Sequence, residues 1–225
     1  MRTLFDVSCD NDLAVIGRVL KTIGARRKVL CVGASSVAEA LCAEQLHSRP
    51  LGERLPKSLG IQRPVFAFAG SRSAVTAAQV GHAKLYEKLT IAPSDFLPGN
   101  AGLSVLADAC KTHLAERRNI LVYLSDQNQS SLAGRDLAAA TACFIRDIVA
   151  SVRPGCLVIA GGDTSSAAVQ LLAIDSISTI ADFDRGVPVV RAHSHNALDA
   201  LPMILKGGQM GSVDLFDKLA HFCTA

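Results

Sequence analysis

The chain has 225 residues, of which 49% are hydrophobic, 4% aromatic and 19% charged, with a formal net charge of +3 at pH 7. That length supports one large domain or two small ones, with an ordinary core and no need of disulfide staples. The weak charge and the lack of Trp argue against a nucleic-acid partner or an aromatic stacking platform.

Residues 2–7 predict a strand, and Leu13, Ile16, Leu20 and Ile23 repeat at helical spacing, predicting a helix from about Asp10 to Gly24. A strand over 28–32 and a helix from Ser36 to about His47 complete a βαβα block. Residues 48–64 hold three prolines and two glycines with little periodicity and read as a linker. The expected domains are therefore 1–63 and 64–225. Beyond the linker the pattern predicts a strand at 65–69, a helix from about Ala74 to Lys88 and a short strand at 89–91. A turn region over 93–99 leads to a helix at 102–116, a strand at 119–124, a helix at 132–152 and a strand at 156–160. Short strands near 186–190 and 202–206 precede a last helix at 213–222. Alternating βα units of this kind predict an α/β fold, a three-layer sandwich with a mostly parallel sheet.

Seven cysteines, odd in number and without a C-x-x-C pair, read as reduced and mostly core residues, Cys31 and Cys156 in strands and Cys110 and Cys143 in helices. They point to the cytoplasm. The early acids Asp6, Asp10 and Asp12 disfavour a signal peptide, and charges such as Arg146 and Asp147 interrupt the apolar stretches, disfavouring a membrane span. The basic runs Arg26-Arg27-Lys28 and Arg117-Arg118 fall at helix ends, where cations complement the dipole.

The densest chemical signal is the apolar strand that runs into Gly161-Gly162-Asp163-Thr164 and then into a small-residue helix. Glycines at the carboxyl end of a buried strand let backbone N–H groups approach a ligand, and the next helix aims unpaired N–H groups at the same spot, which suits a phosphate. The same pattern recurs at Val29–Ser36 and Val65–Ser73. The loop is neither a Walker A sequence nor the dinucleotide fingerprint. Asp163 would orient Mg²⁺ and its waters or cap the helix, and a ligand-free turn with an Asp cap accounts for the loop equally well.

Gly70-Ser71-Arg72-Ser73, followed by Thr76 and Gln79, offers hydroxyls and a guanidinium, or simply a Ser N-cap. Lys206-Gly207-Gly208-Gln209-Met210-Gly211 allows backbone approach to a purine or phosphate with Lys206 supplying charge, or is a flexible turn. His193 and His195 lack a third ligand at metal spacing and read as a surface loop. Residues Ser125–Ser130 form a polar loop that borders the ligand edge or is merely polar.

Taken in order, Gly-Ser-x-Ser-x-x-Thr-x-x-Gln (70–79), Gly-Gly-Asp-Thr (161–164) and Leu-Lys-x-Gly-x-x-Gly (205–211) resemble the four-carbon acid sugar kinase family. The match spans about residues 64–216 and is similar to that family's C-terminal nucleotide-binding domain. The resemblance implies that Ser71, Ser73, Gly161, Gly162, Asp163, Thr164, Gly208 and Gly211 lie at or beside contacts to ATP, with Mg²⁺ as its companion ion. It also implies a role in carbohydrate metabolism, phosphorylating acid sugars such as threonate or erythronate at the 4-hydroxyl. Upstream, Leu4–Val7 with Asp10–Leu13, and Val32–Ala38, resemble the last two βα units of the family's N-terminal acid-sugar domain, whose Asp-Asp-x-x-Gly signature has no counterpart here. Gly207, Gln209 and Met210 depart from the family's usual Ser, Asn and Phe.

The expectation is thus the ATP-binding portion of an acid-sugar kinase, inactive alone, with no catalytic residue assigned in this chain. Its expected partners are a nucleotide, an acid sugar only together with the absent domain, and a second copy of itself; nucleic acid and membrane are not among them. The alternative is a non-catalytic nucleotide-binding module or partner subunit from a truncated or split gene. A Rossmann-type dehydrogenase is disfavoured because its glycine turn is not found.

Overall fold

A computed structural model describes residues 3–46, 59–97, 99–125 and 132–223. The chain divides into two compact units, residues 1–54 and 55–225. Most of the expected linker lies outside the described residues, which resume at Leu59.

The first unit pairs α1 (Asp10–Gly24) with α2 (Ser36–Leu46). Their crossing is tight: a Cβ on Gly17 would meet the Ala40 carbonyl oxygen at 1.9 Å. Asp12 fixes the start of α1 by accepting from the backbone N–H groups of Ser8 at 2.8 Å and Cys9 at 3.0 Å. The strands expected at 2–7 and 28–32 do not form among the described residues. A strand needs a neighbour to take up its N–H and C=O groups, and among the described residues of this unit no strand flanks these segments. Leu4, Leu30 and Val32 are accordingly 96%, 89% and 90% exposed.

The second unit is built on seven strands, β1 (Val65–Ala69), β2 (Glu87–Ile91), β3 (Ile120–Leu124), β4 (Cys156–Ala160), β5 (Ser176–Asp184), β6 (Val187–His193) and β7 (Pro202–Lys206). They form one sheet in the order β2-β3-β1-β4-β7-β6-β5. The first five are parallel, whereas β6 and β5 join antiparallel. Among the described residues five α-helices accompany them: α3 (Ala74–His82), α4 (Gly102–Ala115), α5 (Gly134–Ser151), α6 (Gly162–Leu171) and α7 (Leu215–Phe222).

Side chains alternate across the sheet. Phe66 and Phe68 of β1 join a core with Cys110 and Leu114 of α4, Ile145 and Ile148 of α5 and Ala168 of α6. Val65, Ala67 and Ala69 join the opposite core with Val80 of α3 and Leu215, Phe216 and Leu219 of α7. The result is three layers, and burial on both faces is why the parallel strands read as continuous apolar runs.

In this unit too the structure departs from expectation. The helix predicted to reach Lys88 ends at His82, and Lys88 belongs to β2. Asp217 accepts from the backbone of Lys84 at 2.9 Å, and Tyr86 Oη donates to the Phe216 carbonyl at 3.0 Å, so contacts with α7 draw this segment out of helix. The edge strand β5 was not predicted, because most of its residues are exposed and its Ser, Thr and Asp content hides any apolar alternation. Cys31 lies in no strand, and Cys9 and Cys42 are exposed, whereas Cys110, Cys156 and Cys223 are buried. Burial raises the Cys110 thiol to about 12. Among the described residues no helix is long and apolar enough to cross a membrane.

Candidate functional site

The strands β1, β4 and β7 lie side by side with Ala69, Ala160 and Lys206 in register at their carboxyl ends. All three glycine-bearing loops leave the sheet at this edge. Gly70 and Ser71 both donate their N–H groups to the Ala160 carbonyl, at 2.9 and 3.0 Å, and Gly161 donates to the Lys206 carbonyl at 2.9 Å.

The loop after β7 then folds onto the start of α3. Ser73 Oγ and Thr76 Oγ1 both donate to the Gly208 carbonyl, the second at 2.9 Å, while Ser73 Oγ caps α3 by accepting from the Thr76 N–H at 3.1 Å. A Cβ on Gly208 would lie 2.1 Å from Ser71 Oγ, so any larger residue there would push the Ser71 hydroxyl from its place in the seam. Thr164 Oγ1 lies 2.6 Å from where a Cβ on Gly70 would stand. The fold thus gathers Ser71, Ser73, Gly161, Thr164 and Gly208 from three distant parts of the sequence.

At the start of α6 the structure separates the two adjacent glycines. Gly161 has φ +135°, and a Cβ there would meet the Ser71 nitrogen at 3.3 Å, whereas a Cβ on Gly162 would meet nothing within 4 Å. Asp163 is exposed and is not a cap: the N-cap is Gly161, which makes no side-chain bond. The first-turn N–H groups of α6 have no partner within the helix, and they stand beside open space at Gly162.

Lys206 is 1% exposed. Its Nζ donates to Thr76 Oγ1 at 3.2 Å and to the Gly207 carbonyl at 3.0 Å, and burial draws its pKa down to about 8. Gln79, also buried, donates through Nε2 to the carbonyls of Met210 at 3.0 Å and Ser212 at 2.9 Å. Gly211, at φ +84°, sits farther along the loop, against Val187, Gln79 and Leu215.

The tip of the β5–β6 hairpin holds the same loop from outside. The Gly211 N–H donates to the Arg185 carbonyl at 3.2 Å, and Asp184 accepts from both the N–H and the hydroxyl of Ser212. Lys218 Nζ stands 3.6 Å from Asp184 and 3.0 Å from Asp214. Burial alone would raise the Asp184 pKa, but the bonds from Ser212 and Arg185 and the Lys218 charge outweigh it and hold the carboxyl below its ordinary value.

A cavity of about 650 Å³ opens beside this seam, sharing Ser71 and Thr76 with it and lined further by Arg72, Thr90, Asp95 and Tyr123. Its size falls within the usual range of small-molecule sites. Thr90, Asp95 and Tyr123 carry no sequence motif, and their one signal is position near the ends of β2 and β3. Asp95 is engaged locally, accepting from the Ala92 N–H at 2.8 Å and from Asn100 Nδ2 at 3.0 Å. Ser125 lines the same cavity, while 126–130 lie outside the described residues. His193 Nε2 shares a 2.8 Å hydrogen bond with Ser178, and His195 is fully exposed. Among the described residues no three His, Cys, Asp or Glu side chains gather to hold a metal ion.

A family model described as a nucleotide-binding C-terminal domain matches residues 66–216, which include all three loops of the seam. The chain belongs to this family, the C-terminal domain of the four-carbon acid sugar kinases. Among relatives, a 3-oxo-isoapionate kinase of Paraburkholderia graminis is 30% identical over 239 residues, covering 95% of this chain and 50% of that protein. A 3-oxo-tetronate kinase of Burkholderia multivorans is 28% identical over the same shares. A Bordetella bronchiseptica structure with bound citrate, a domain-swapped dimer, shares the fold at a TM-score of 0.61 and 15% identity, covering 95% of this chain and 51% of its own. A Haemophilus influenzae protein does so at 0.60 and 18%, covering 96% and 52%. The chain spans about half the length of the curated acid-sugar kinases that it matches.

Proposed function

We propose that this chain is the ATP-binding half of a cytoplasmic kinase for four-carbon acid sugars. The observation that carries the reading is the closure of three glycine-bearing loops on one another at the edge of β1, β4 and β7, with the uncapped start of α6 open beside them. The residues fit a nucleotide. The N–H groups of the first turn of α6 take phosphate oxygens, Ser71 presents a hydroxyl, and Ser73 holds the Gly208 loop in place. When Mg²⁺ is bound it supplies charge neutralisation, arriving with the phosphates and with Asp163 the acid beside them. Phosphoryl transfer depends on positioning and charge more than on covalent chemistry, which is what such loops provide.

The acceptor is an acid sugar of the threonate or erythronate class, and the 3-oxo acids named for the relatives are of related chemistry. The groups that position its hydroxyl and take its proton belong to the half of the protein that this chain does not span, so the chain by itself binds nucleotide without turnover. Residues 1–63 act as the end of that acceptor domain and its linker. Their exposed Leu4, Leu30 and Val32 join two copies in a homodimer, which light scattering of the purified chain tests. Neither nucleic acid nor membrane is a partner. A second reading, a nucleotide-binding module that serves a separate polypeptide without catalysis, is favoured by the lack of an Asp-Asp-x-x-Gly motif in these 225 residues.

Calorimetry with Mg-ATP, ADP and NAD(P) tests the nucleotide reading. ATP and ADP bind in the ~1 μM–1 mM range usual for enzyme substrates, and NAD(P) does not. A folded chain that binds no nucleotide at millimolar concentration overturns it.

A further inference from the structure

We propose that Lys206 is the buried counter-charge for the phosphates of the bound nucleotide, a cation whose anionic partner is the ligand rather than a carboxylate of this chain. The assignment rests on the nucleotide reading above and deepens it. Lys206 closes β7 in register with Ala160, which is itself in register with Ala69, so it ends the central row of the sheet edge.

The ammonium is almost wholly enclosed, yet its two partners, Thr76 Oγ1 and the Gly207 carbonyl, are neutral oxygens. Around it β1 and β4 end in alanine, α3 offers Thr76, and the following loop offers Gly207 and Gly208. Asp163, the carboxylate of the neighbouring glycine loop, makes no ion pair with it, and no other carboxylate does so among the described residues. Burial is correspondingly the cause of its lowered pKa. A buried ammonium without an anion is costly to keep, and perturbed, unpaired groups of this kind cluster at functional sites.

Where the charge points follows from Thr76. That hydroxyl touches Lys206 Nζ, the Gly208 carbonyl and Ser73, and Thr76 also lines the cavity. The ammonium thus lies one side chain beneath the seam of Ser71, Ser73 and Gly208, near enough to favour an anion there and too deep to be neutralised by water.

The test compares ATP, adenosine and inorganic tripolyphosphate on the parent chain and on Lys206→Met, which keeps the length and removes the charge. The variant loses ~10- to 100-fold in affinity for ATP and tripolyphosphate, the scale of one charge pair at partial burial, while adenosine binding stays within about twofold. At pH 8.5 the parent takes up protons on binding ATP, seen as a heat that depends on the buffer, and Lys206→Met does not. If Lys206→Met fails to fold, Lys206→Arg decides, since it keeps the charge and binds ATP without proton uptake. Equal losses for ATP and adenosine, an unchanged ATP affinity, or no proton uptake by the parent would each overturn the assignment. A parent that binds no nucleotide removes the functional reading itself, whereas a parent that binds ATP no better than folded Lys206→Met removes only Lys206.

Discussion

Adjacent glycines at the end of β4 do different work. Gly161 is required by the backbone path, with φ at +135° and the Ser71 nitrogen 3.3 Å from any added Cβ. Gly162, within α6, has open space where a side chain would go. Gly161→Val should therefore destabilise by ~1–3 kcal/mol, lowering Tm by about 2–4 °C for each kcal/mol in a chain of this size. Gly162→Val should leave Tm nearly unchanged yet weaken ATP binding tenfold or more, about 1.4 kcal/mol, by occupying the space that a phosphate needs. Thermal scans with calorimetry on both variants check this, and full ATP affinity in folded Gly162→Val would remove the phosphate from the start of α6. In sequence the two glycines are equivalent, because either can adopt a positive φ. Which one does so is decided by how tightly β4 must turn against the loop at Ser71.

At the scale of elements, the seam is made of the three loops that follow β1, β4 and β7 and of the hairpin that restrains the last of them. Ser73, Thr76 and Gln79 were legible as a polar series opening a helix, and all three bond the loop after β7. The restraint from the β5–β6 hairpin was not legible, since β5 shows no alternation and Asp184 lies in no motif. Asp184 nevertheless binds Ser212 and faces Lys218. Its folded pKa lies below the ordinary 3.8, so its contribution is complete above that value and is lost as pH falls through the folded pKa. Asp184→Asn should lower stability at pH 7 and speed amide exchange over Gly208–Ser212, with the gap from the parent narrowing towards pH 3. Urea unfolding at both pH values measures it, and a gap independent of pH would mean that the carboxylate charge plays no part in holding the loop.

For the whole molecule, the alternation that marks a three-layer α/β sandwich was readable because β1, β3 and β4 are apolar throughout, as burial on both faces requires. Val29–Val32 is a comparable apolar run, yet among the described residues neither 3–7 nor 28–32 forms a strand, because a ladder depends on a neighbour that local sequence cannot supply. The same dependence governs catalysis. The loops proposed to hold the nucleotide converge on the edge of β1, β4 and β7, whereas only the proposed end of an acceptor domain, residues 1–63, stands for the acid-sugar side, and the relatives are about twice as long. Bound ATP without a positioned acceptor forgoes the effective molarity that lowers barriers by ~7–11 kcal/mol in well-oriented reactions. The purified chain should therefore bind ATP and give no substrate-dependent ADP release with threonate, erythronate or their 3-oxo counterparts. Activity should return when the amino-terminal half of a relative is supplied in cis or in trans. Turnover near ~1 s⁻¹ by the chain alone, a low but ordinary enzyme rate, would place the acceptor site within these 225 residues and refute the division of labour.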